Sequence, residues 1–279
     1  ENVLIAEVSA PETEEVWEWQ YDTLENRNIN ASQINSVHNT IDSYPINAEV
    51  IVKDGVIVDE YYKDGYDKTS VFTLQSTSKS ITSAIFGIAI DKGYIDSVEE
   101  PISNYFPQIL NSDSQYKSQI TIWNLLTHTT GKTTLEFGKE YLFDKLDIDS
   151  VEGTTDSQGI SDGGNGFAMN VYDMAKIGEL YLNNGVWNGE QIISEQWVKD
   201  STTTQFERSS GSADYGYQWW VRTFGDNNYP SFFAQGHYGQ YIFVVPDLKL
   251  VVVLTSHYEG NTSIYWQIMN NIVNACENS

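Results

Sequence analysis

Serine and lysine stand three residues apart at two places in the chain, Ser76-Thr77-Ser78-Lys79 and Ser114-Gln115-Tyr116-Lys117. The second pair lies in a polar stretch and reads as a solvated loop. The first opens an apolar run in which Ile81, Ala84, Ile85 and Ile88 recur at the spacing of one helix face, with Gly93 placed to end the helix. Residues i and i+3 share a helix face, so the Lys79 amine can reach the Ser76 hydroxyl. A helix N-terminus adds free N–H groups and a positive dipole end. Both favour a developing alkoxide and push a lysine toward its neutral, basic form. A hydroxyl beside a base is the arrangement of a nucleophile that forms an acyl intermediate. The same four residues also have a plain structural reading, in which Ser76 caps the helix and Lys79 sits in solvent.

Strand signals flank this helix on both sides. Ala48 to Val52 and Val56 to Tyr62 are rich in β-branched and aromatic residues, and Lys53-Asp54-Gly55 between them predicts a hairpin with an Asp-Gly turn. Pro11 to Trp17 and Ser32 to Ile41 read as short helices ahead of it. From Ser76 to about Asp200 the pattern is helical, over Ile122 to Thr127, Leu135 to Phe143, Val171 to Tyr181 and Glu195 to Val198. Strands return at Tyr217 to Thr223, Phe232 to Gln235, Tyr241 to Val245 and Lys249 to Thr255, with Pro246-Asp247 turning the third into the fourth. Ser263 to Ala275 ends the chain as a helix. The economical arrangement is an α/β (α+β) fold: an antiparallel sheet built from both termini, residues 1–75 and 205–279, beside a mostly helical insert, residues 76–204. A ligand site is expected in the cleft between them.

The chain has 279 residues, 40% of them hydrophobic, with 8 Trp, 18 Tyr and 11 Phe, which is ample material for a large core. Fifteen Lys and Arg against 39 Asp and Glu leave a formal charge of -24, which repels phosphate backbones and anionic lipid heads. Nucleic acid is therefore excluded as a partner. No apolar run approaches the ~18 residues that span a bilayer, so no membrane insertion is expected. The single cysteine, Cys276, excludes an internal disulfide. His38, His128, His237 and His257 show no ligand spacing, and no metal site is expected. Asp156 to Gly166 lacks the spacing of a calcium loop. Asn30-Ala31-Ser32 and Asn261-Thr262-Ser263 are glycosylation sequons of the kind an Asn-rich chain produces by chance. Low Lys and Arg content, abundant Asn, Ser and Thr, and a start at Glu1 predict a processed protein that is secreted or periplasmic.

Taken together, Gln75-Ser76-Thr77-Ser78-Lys79-Ser80 and the stretch Ile120-Thr121-Ile122-Trp123-Asn124-Leu125-Leu126-Thr127-His128-Thr129-Thr130-Gly131 resemble the penicillin-binding, β-lactamase-related serine hydrolases. Gly163-Gly164-Asn165-Gly166-Phe167, Asp173-Met174-Ala175-Lys176, Trp187-Asn188-Gly189 and Gly236-His237-Tyr238-Gly239-Gln240 are similar to the branch containing 6-aminohexanoate-dimer hydrolase and related esterases. The motifs run in order over about residues 45 to 275. The resemblance implies a β-lactamase/transpeptidase-like fold, with Ser76 as the acylated nucleophile and Lys79 handling its proton. It implies that His237-Tyr238-Gly239 forms a strand lining the cleft opposite Ser76, with Gly239 leaving room for substrate backbone. The Gln240 and Ser76 N–H groups would form the oxyanion hole, and His237 would hydrogen-bond a substrate group or help set the charge of the site. His128 ends a helix in a segment that looks structural.

One motif of that family, Tyr-x-Asn or Ser-x-Asn, is absent here. Gly131 to Phe137 reads as the segment that follows it, and Tyr181-Leu182-Asn183, ahead of Asn184-Gly185, has the chemistry of a helix end. Either Lys79 works alone, or a tyrosine such as Tyr238 or Tyr217 substitutes, or the protein acylates poorly. The Trp219-Trp220 pair packs the sheet, with one ring able to line the cleft. The expected function is a cofactor-free serine hydrolase cleaving a small-molecule ester or amide through a Ser76 acyl-enzyme. A β-lactamase or D-amino-acid-specific peptidase is the alternative, and a catalytically weakened binding protein on the same fold is the alternative of another class.

Overall fold

A computed structural model describes residues 17–105, 107, 130–155, 157, 161–208 and 213–277. The expected helix at Ile122 to Thr127, most of that at Pro11 to Trp17, the Ser114–Lys117 pair and His128 lie outside the described residues. In chain order the elements begin with α1 (Ala31–Asp42), β1 (Ile46–Lys53), β2 (Val56–Tyr62), β3 (Val71–Thr73) and a 3₁₀ turn (Gln75–Thr77) leading into α2 (Ser78–Asp91). Then come α3 (Thr134–Gly138), β4 (Glu152–Gly153), β5 (Phe167–Asn170), α4 (Val171–Leu182), β6 (Val186–Trp187), β7 (Glu190–Gln191) and α5 (Glu195–Thr202). The chain closes with β8 (Asp214–Tyr215), β9 (Trp220–Phe224), β10 (Tyr229–Gly236), β11 (Gln240–Val245), β12 (Leu250–Ser256) and α6 (Ser263–Glu277).

The strands expected from both ends of the chain meet in one seven-stranded sheet, ordered β2-β1-β12-β11-β10-β9-β8 and antiparallel at every pair. Asp54 and Gly55 join β1 to β2 at φ 51° and 79°, the doubly left-handed turn whose twist matches a hairpin. Central strands buried on both faces read as near-continuous apolar runs. On one face, Ile51, Phe243 and Val252 pack under α1 and α6 through Ile34, Val37, Ile41, Ile268 and Ile272. On the other, Val50, Ile242 and Val253 meet Ile81 and Ile85 of α2 and Ile177 of α4. Each such side chain contributes about 1.5–3 kcal/mol relative to exposure.

Several expectations need correcting. The helical middle also holds strands: β4 and β5 join β3, which precedes that middle in the chain, in a three-stranded sheet, and β6 and β7 form a hairpin. That hairpin turns at Asn188-Gly189, with φ 47° and 81°, the strongest short-range hairpin signal in a sequence. The strand expected from Tyr217 begins only at Trp220, because Gln218 sits at φ 68° and breaks the extended run. Helix α3 is short; its Thr133–Glu136 capping box starts it, and a π-type turn over Lys139–Phe143 replaces its continuation. Helix α2 is buried all round rather than along one stripe, Ser80, Thr82, Ser83 and Phe86 included. Gly87 permits this, since a Cβ there would collide with the Trp197 ring of α5. Gly93 ends α2 as expected: at φ 74° it donates to Ile90 O (2.8 Å) while Tyr94 donates to Ala89 O (2.9 Å), the paired bonds of a Schellman cap.

On the α1 side of the sheet one polar residue stands out. Glu49 of β1 is fully buried with neither carboxylate oxygen in a hydrogen bond of regular geometry, and burial, followed by the charge and the close approach of the Asp59 carboxyl, raises its pKa well above the ordinary glutamate value. Among the described residues no helix is long and apolar enough to cross a membrane.

Candidate active site

Ser76 lies in the 3₁₀ turn that leads into α2, directly after Gln75, which is held at φ 51°. A left-handed glutamine is uncommon, and it persists here because the turn is tied on several sides. Leu74 N–H donates to Phe167 O (2.9 Å), and Phe167 N–H donates to Ser78 Oγ (3.2 Å). Thr77 Oγ1 donates to Gln240 O (2.8 Å), Ser80 Oγ to Gln218 O (2.6 Å) and Thr82 Oγ1 to Gly163 O (3.0 Å). Hydroxyls on the first turns thus bind α2 to β5, β11 and two loops. Neither the 3₁₀ turn nor α2 has a side-chain N-cap, so the capping role considered for Ser76 does not apply.

The Ser76 hydroxyl has two partners. Lys79 Nζ donates to Ser76 Oγ at 2.6 Å, and Ser76 Oγ donates to Asn165 Oδ1 at 3.2 Å. Lys79 Nζ also donates to Gly164 O at 3.0 Å, so the lysine is half-buried and engaged rather than loose in solvent. Burial lowers its pKa below the ordinary lysine value of 10.5, and the Asp162 carboxylate pulls it partly back. The amine is thereby eased toward the form that can accept a proton from the hydroxyl it touches.

The wall behind this pair is the loop from Asp162 to Gly166. Asp162 Oδ1 accepts from the N–H groups of Gly164 (3.0 Å) and Asn165 (3.2 Å), while its carbonyl accepts from Gly166 N–H (2.7 Å). A Cβ on Gly166 would strike that carbonyl, so only glycine closes the turn. The turn aims Gly164 O at Lys79 and Asn165 Oδ1 at Ser76. Neither Asn165 nor Asp162 stands out as a site residue in the sequence. The available signal is the dense Asp-Gly-Gly-Asn-Gly run, which marks a tight turn with several free polar groups.

His237, Tyr238 and Gly239 do not form a strand along the cleft. They are the three-residue turn between β10 and β11, which pair up to Gly236 and Gln240. Tyr238 at φ 62° and Gly239 at φ 92° bend the chain because the extended run stops at Gly236. The Tyr238 carbonyl accepts from Tyr265 Oη (3.2 Å) and Tyr258 N–H (3.2 Å), which holds the aromatic residue in that left-handed conformation. Gly239 makes room for protein rather than substrate, since a Cβ there would fall on the Tyr265 hydroxyl. Gly236 supplies the close approach instead: its missing Cβ lets β10 reach the Leu74 carbonyl beside Ser76. His237 is exposed, with its ring 4.0 Å from that of Tyr238. Gln240 is buried; Thr77 holds its carbonyl, and its Nε2 donates to Ser256 O (2.6 Å).

Ser76, Trp220, the His237–Gly239 turn and Tyr258 border a cleft of about 320 Å³. Trp220 is thus the ring that lines the cleft, while Trp219 is fully buried against Tyr181, 4.4 Å away. A larger hollow of about 730 Å³ near Glu179 and Lys199 includes neither Ser76 nor Lys79. Of the two candidate tyrosines, Tyr238 borders the Ser76 cleft. Tyr217 lines a separate apolar cavity of about 350 Å³ with Phe86, Ile95 and Trp197. Tyr181-Leu182-Asn183 does end a helix, and Asn183 Nδ2 donates to Glu179 O (2.9 Å).

A sequence profile of the family described as Beta-lactamase matches residues 46–148 and 138–264. The 6-aminohexanoate-dimer hydrolase of Paenarthrobacter ureafaciens is 20% identical over 313 residues, an alignment covering 85% of this chain and 79% of that protein. A Bacillus anthracis protein proposed to be a 6-aminohexanoate-dimer hydrolase superposes with a TM-score of 0.76 at 19% identity, covering 92% of this chain and 86% of the other. EstCE1, a hydrolase with promiscuous acyltransferase activity, superposes at 0.69 with 13% identity, over 89% of this chain and 99% of its own. At such identities the superpositions speak to the fold, while the profile spans most of the chain including the Ser76 turn, α2 and the β10–β11 hairpin. The chain therefore belongs to the beta-lactamase family, a β-lactamase-fold group of hydrolases.

Proposed function

We propose that the chain is a serine hydrolase that cleaves small esters, and amides more slowly, through an acyl-enzyme on Ser76. The observation that carries this reading is the 2.6 Å contact between Lys79 Nζ and Ser76 Oγ. Neutral Lys79 takes the hydroxyl proton as Ser76 Oγ bonds to the substrate carbonyl carbon, and the ammonium then returns that proton to the leaving group. Water attacks the acyl-enzyme in the second half, with the same base. The N–H groups of Ser76 and Gln240 stabilise the oxyanion in both halves. Asn165 orients the hydroxyl, and Gly164 O orients the amine.

The absent Tyr-x-Asn tyrosine shapes the substrate class. Without it, proton delivery to the leaving group rests on the Lys79 ammonium or on Tyr238 at the cleft edge. Phenolate-type leaving groups depart without a proton, whereas an amide nitrogen needs one, so activated short-chain esters are the favoured substrates and β-lactams and unactivated amides poor ones. The test is intact-mass and peptide mapping after a fluorophosphonate and, separately, a penicillin, combined with nitrophenyl acetate turnover. Adduct on Ser76 and loss of turnover in Ser76→Ala are expected. Turnover surviving in Ser76→Ala would move the site elsewhere, and no adduct with no turnover would leave a binding protein on this fold.

A further inference from the structure

We propose that His38, Glu49 and Asp59 form a binding site for one first-row divalent cation of the Zn²⁺ type, on the α1-covered face of the large sheet. The three residues come from three elements: His38 from α1, Glu49 from β1 and Asp59 from β2. Their ligand atoms all lie within 4.8 Å of one another, and His38 Nε2 is 2.7 Å from Asp59 Oδ2. Metal–ligand bonds of ~2.0–2.2 Å in tetrahedral geometry put ligand atoms roughly 3.4 Å apart, so a shared centre asks for side-chain shifts of about an ångström.

Two features argue that the cluster is built for a cation. Glu49 is fully buried, neither of its oxygens makes a hydrogen bond of regular geometry, and one of them lies within 4.8 Å of the His38 and Asp59 ligand atoms. An unpartnered buried carboxylate is strongly unfavourable, and a second carboxylate beside it makes the position worse. A divalent ion balances two carboxylates and a neutral imidazole without remainder. The second feature is a bulge. Pairing of β1 with β2 passes from Ile51↔Asp59 to Val52↔Ile57, and the extra residue, Val58, leaves Asp59 on the same face as Glu49. His38 and Asp59 side chains keep 21% and 14% exposure, which gives the ion an entry path. The Tyr61 ring, 4.9 Å from the imidazole, steadies its orientation. An imidazole among the ligands favours zinc-like ions over Ca²⁺ or Mg²⁺, and a water would complete the shell. Bound there, the ion would fasten α1 to the β1–β2 hairpin. None of this depends on the Ser76 chemistry.

The test uses the full chain, stripped with EDTA and returned to near-physiological salt with millimolar Mg²⁺, which screens the acidic surface. Titration with ZnCl₂ by calorimetry, with metal analysis after desalting, should find about one Zn²⁺ per chain and a raised Tm. Glu49→Gln, nearly isosteric, should weaken Zn²⁺ binding by about tenfold or more, and so should His38→Gln at the partly exposed rim. Both variants should keep wild-type esterase turnover. Binding well below one ion per chain would overturn the proposal and leave a carboxyl pair sharing a proton. Unchanged affinity in His38→Gln would overturn it as well, even if Glu49→Gln failed to fold.

Discussion

The two polar clusters of this protein, one around Ser76 and one around Glu49, are built in contrary ways. In the cleft, the charged group is half-buried and hydrogen-bonded: Lys79 donates to Ser76 and Gly164, and Ser76 donates to Asn165. Under α1, the Glu49 carboxyl is fully buried and its oxygens make no hydrogen bond of regular geometry. A group that must gain and lose a proton in every turnover needs moderate desolvation and partners that serve both of its states. A group sealed from water with no partner cannot cycle in that way; it is suited to holding something fixed. Glu179 of α4 lies between these extremes. One of its oxygens accepts from Asn183 at 3.2 Å, the other has no partner, and burial pushes its pKa up to about 7.

The largest expected effect is on the cleft side. Ser76→Ala should lower nitrophenyl ester turnover by about 10³-fold or more, measured as kcat against a heat-inactivated control. A smaller loss would mean that the hydroxyl and its partners are not the reacting set. Lys79→Ala should cost about 10²-fold, with the protein still folded by circular dichroism, because only the base is removed. If Lys79→Ala kept wild-type rates, the satisfied geometry of the cleft would be structural only.

Glu179 tests the half-satisfied case through stability. Its folded pKa of about 7 exceeds the ordinary 4.5, so the folded state holds the proton more tightly than the unfolded chain. Stability is therefore fully present below about pH 4.5 and lost as pH rises toward 7. Glu179→Gln carries no charge at any pH. It should match the wild type near pH 5 and exceed it by about 2 kcal/mol near pH 8 in urea unfolding. Equal stabilities at both pH values would show that the unpartnered oxygen is relieved by water.

A subtler shift is expected from Asp162, whose carboxylate raises the Lys79 pKa against the effect of burial. Asp162→Asn keeps an oxygen to accept from Gly164 and Asn165 but removes the charge. On the proposed mechanism the rising limb of kcat/KM against pH follows deprotonation of Lys79, and it should move to lower pH. Movement to higher pH would assign that limb to another group. The smallest effect belongs to His237, which is exposed at the tip of the β10–β11 turn. His237→Ala should change kcat/KM by less than about threefold, and a loss near that of Lys79→Ala would make it a catalytic residue rather than a rim residue.

Much of the site's first layer was legible in the residues alone, because it is local. A serine and lysine three apart at the head of an apolar run can only meet on one helix face, and Lys79 does meet Ser76. Asp54-Gly55 and Gly93 ended their elements as expected, since positive φ is decided by residues within one turn. Asn188-Gly189 carried an equally local hairpin signal, which the helical reading of its surroundings hid. Asn30 and Asn261, met as sequons, serve as local caps, accepting from Ser32 N–H (3.0 Å) and Ser263 N–H (2.9 Å).

What only the tertiary structure decided lies between elements. Asn165 is 89 residues from the serine it touches, and no spacing announces that the Asp162–Gly166 turn will fold back over α2. Whether His237-Tyr238-Gly239 is strand or turn depended on where the β10–β11 register closes, at Gly236 and Gln240. Glu49, Asp59 and His38 look like ordinary surface residues in a strongly acidic chain. A one-residue bulge at Val58 and the packing of α1 bring them together, and both are set by which side chains fill the sheet's two faces. Helical and turn contacts are specified within a few residues, while convergence across a sheet is specified by register and packing summed over the whole chain.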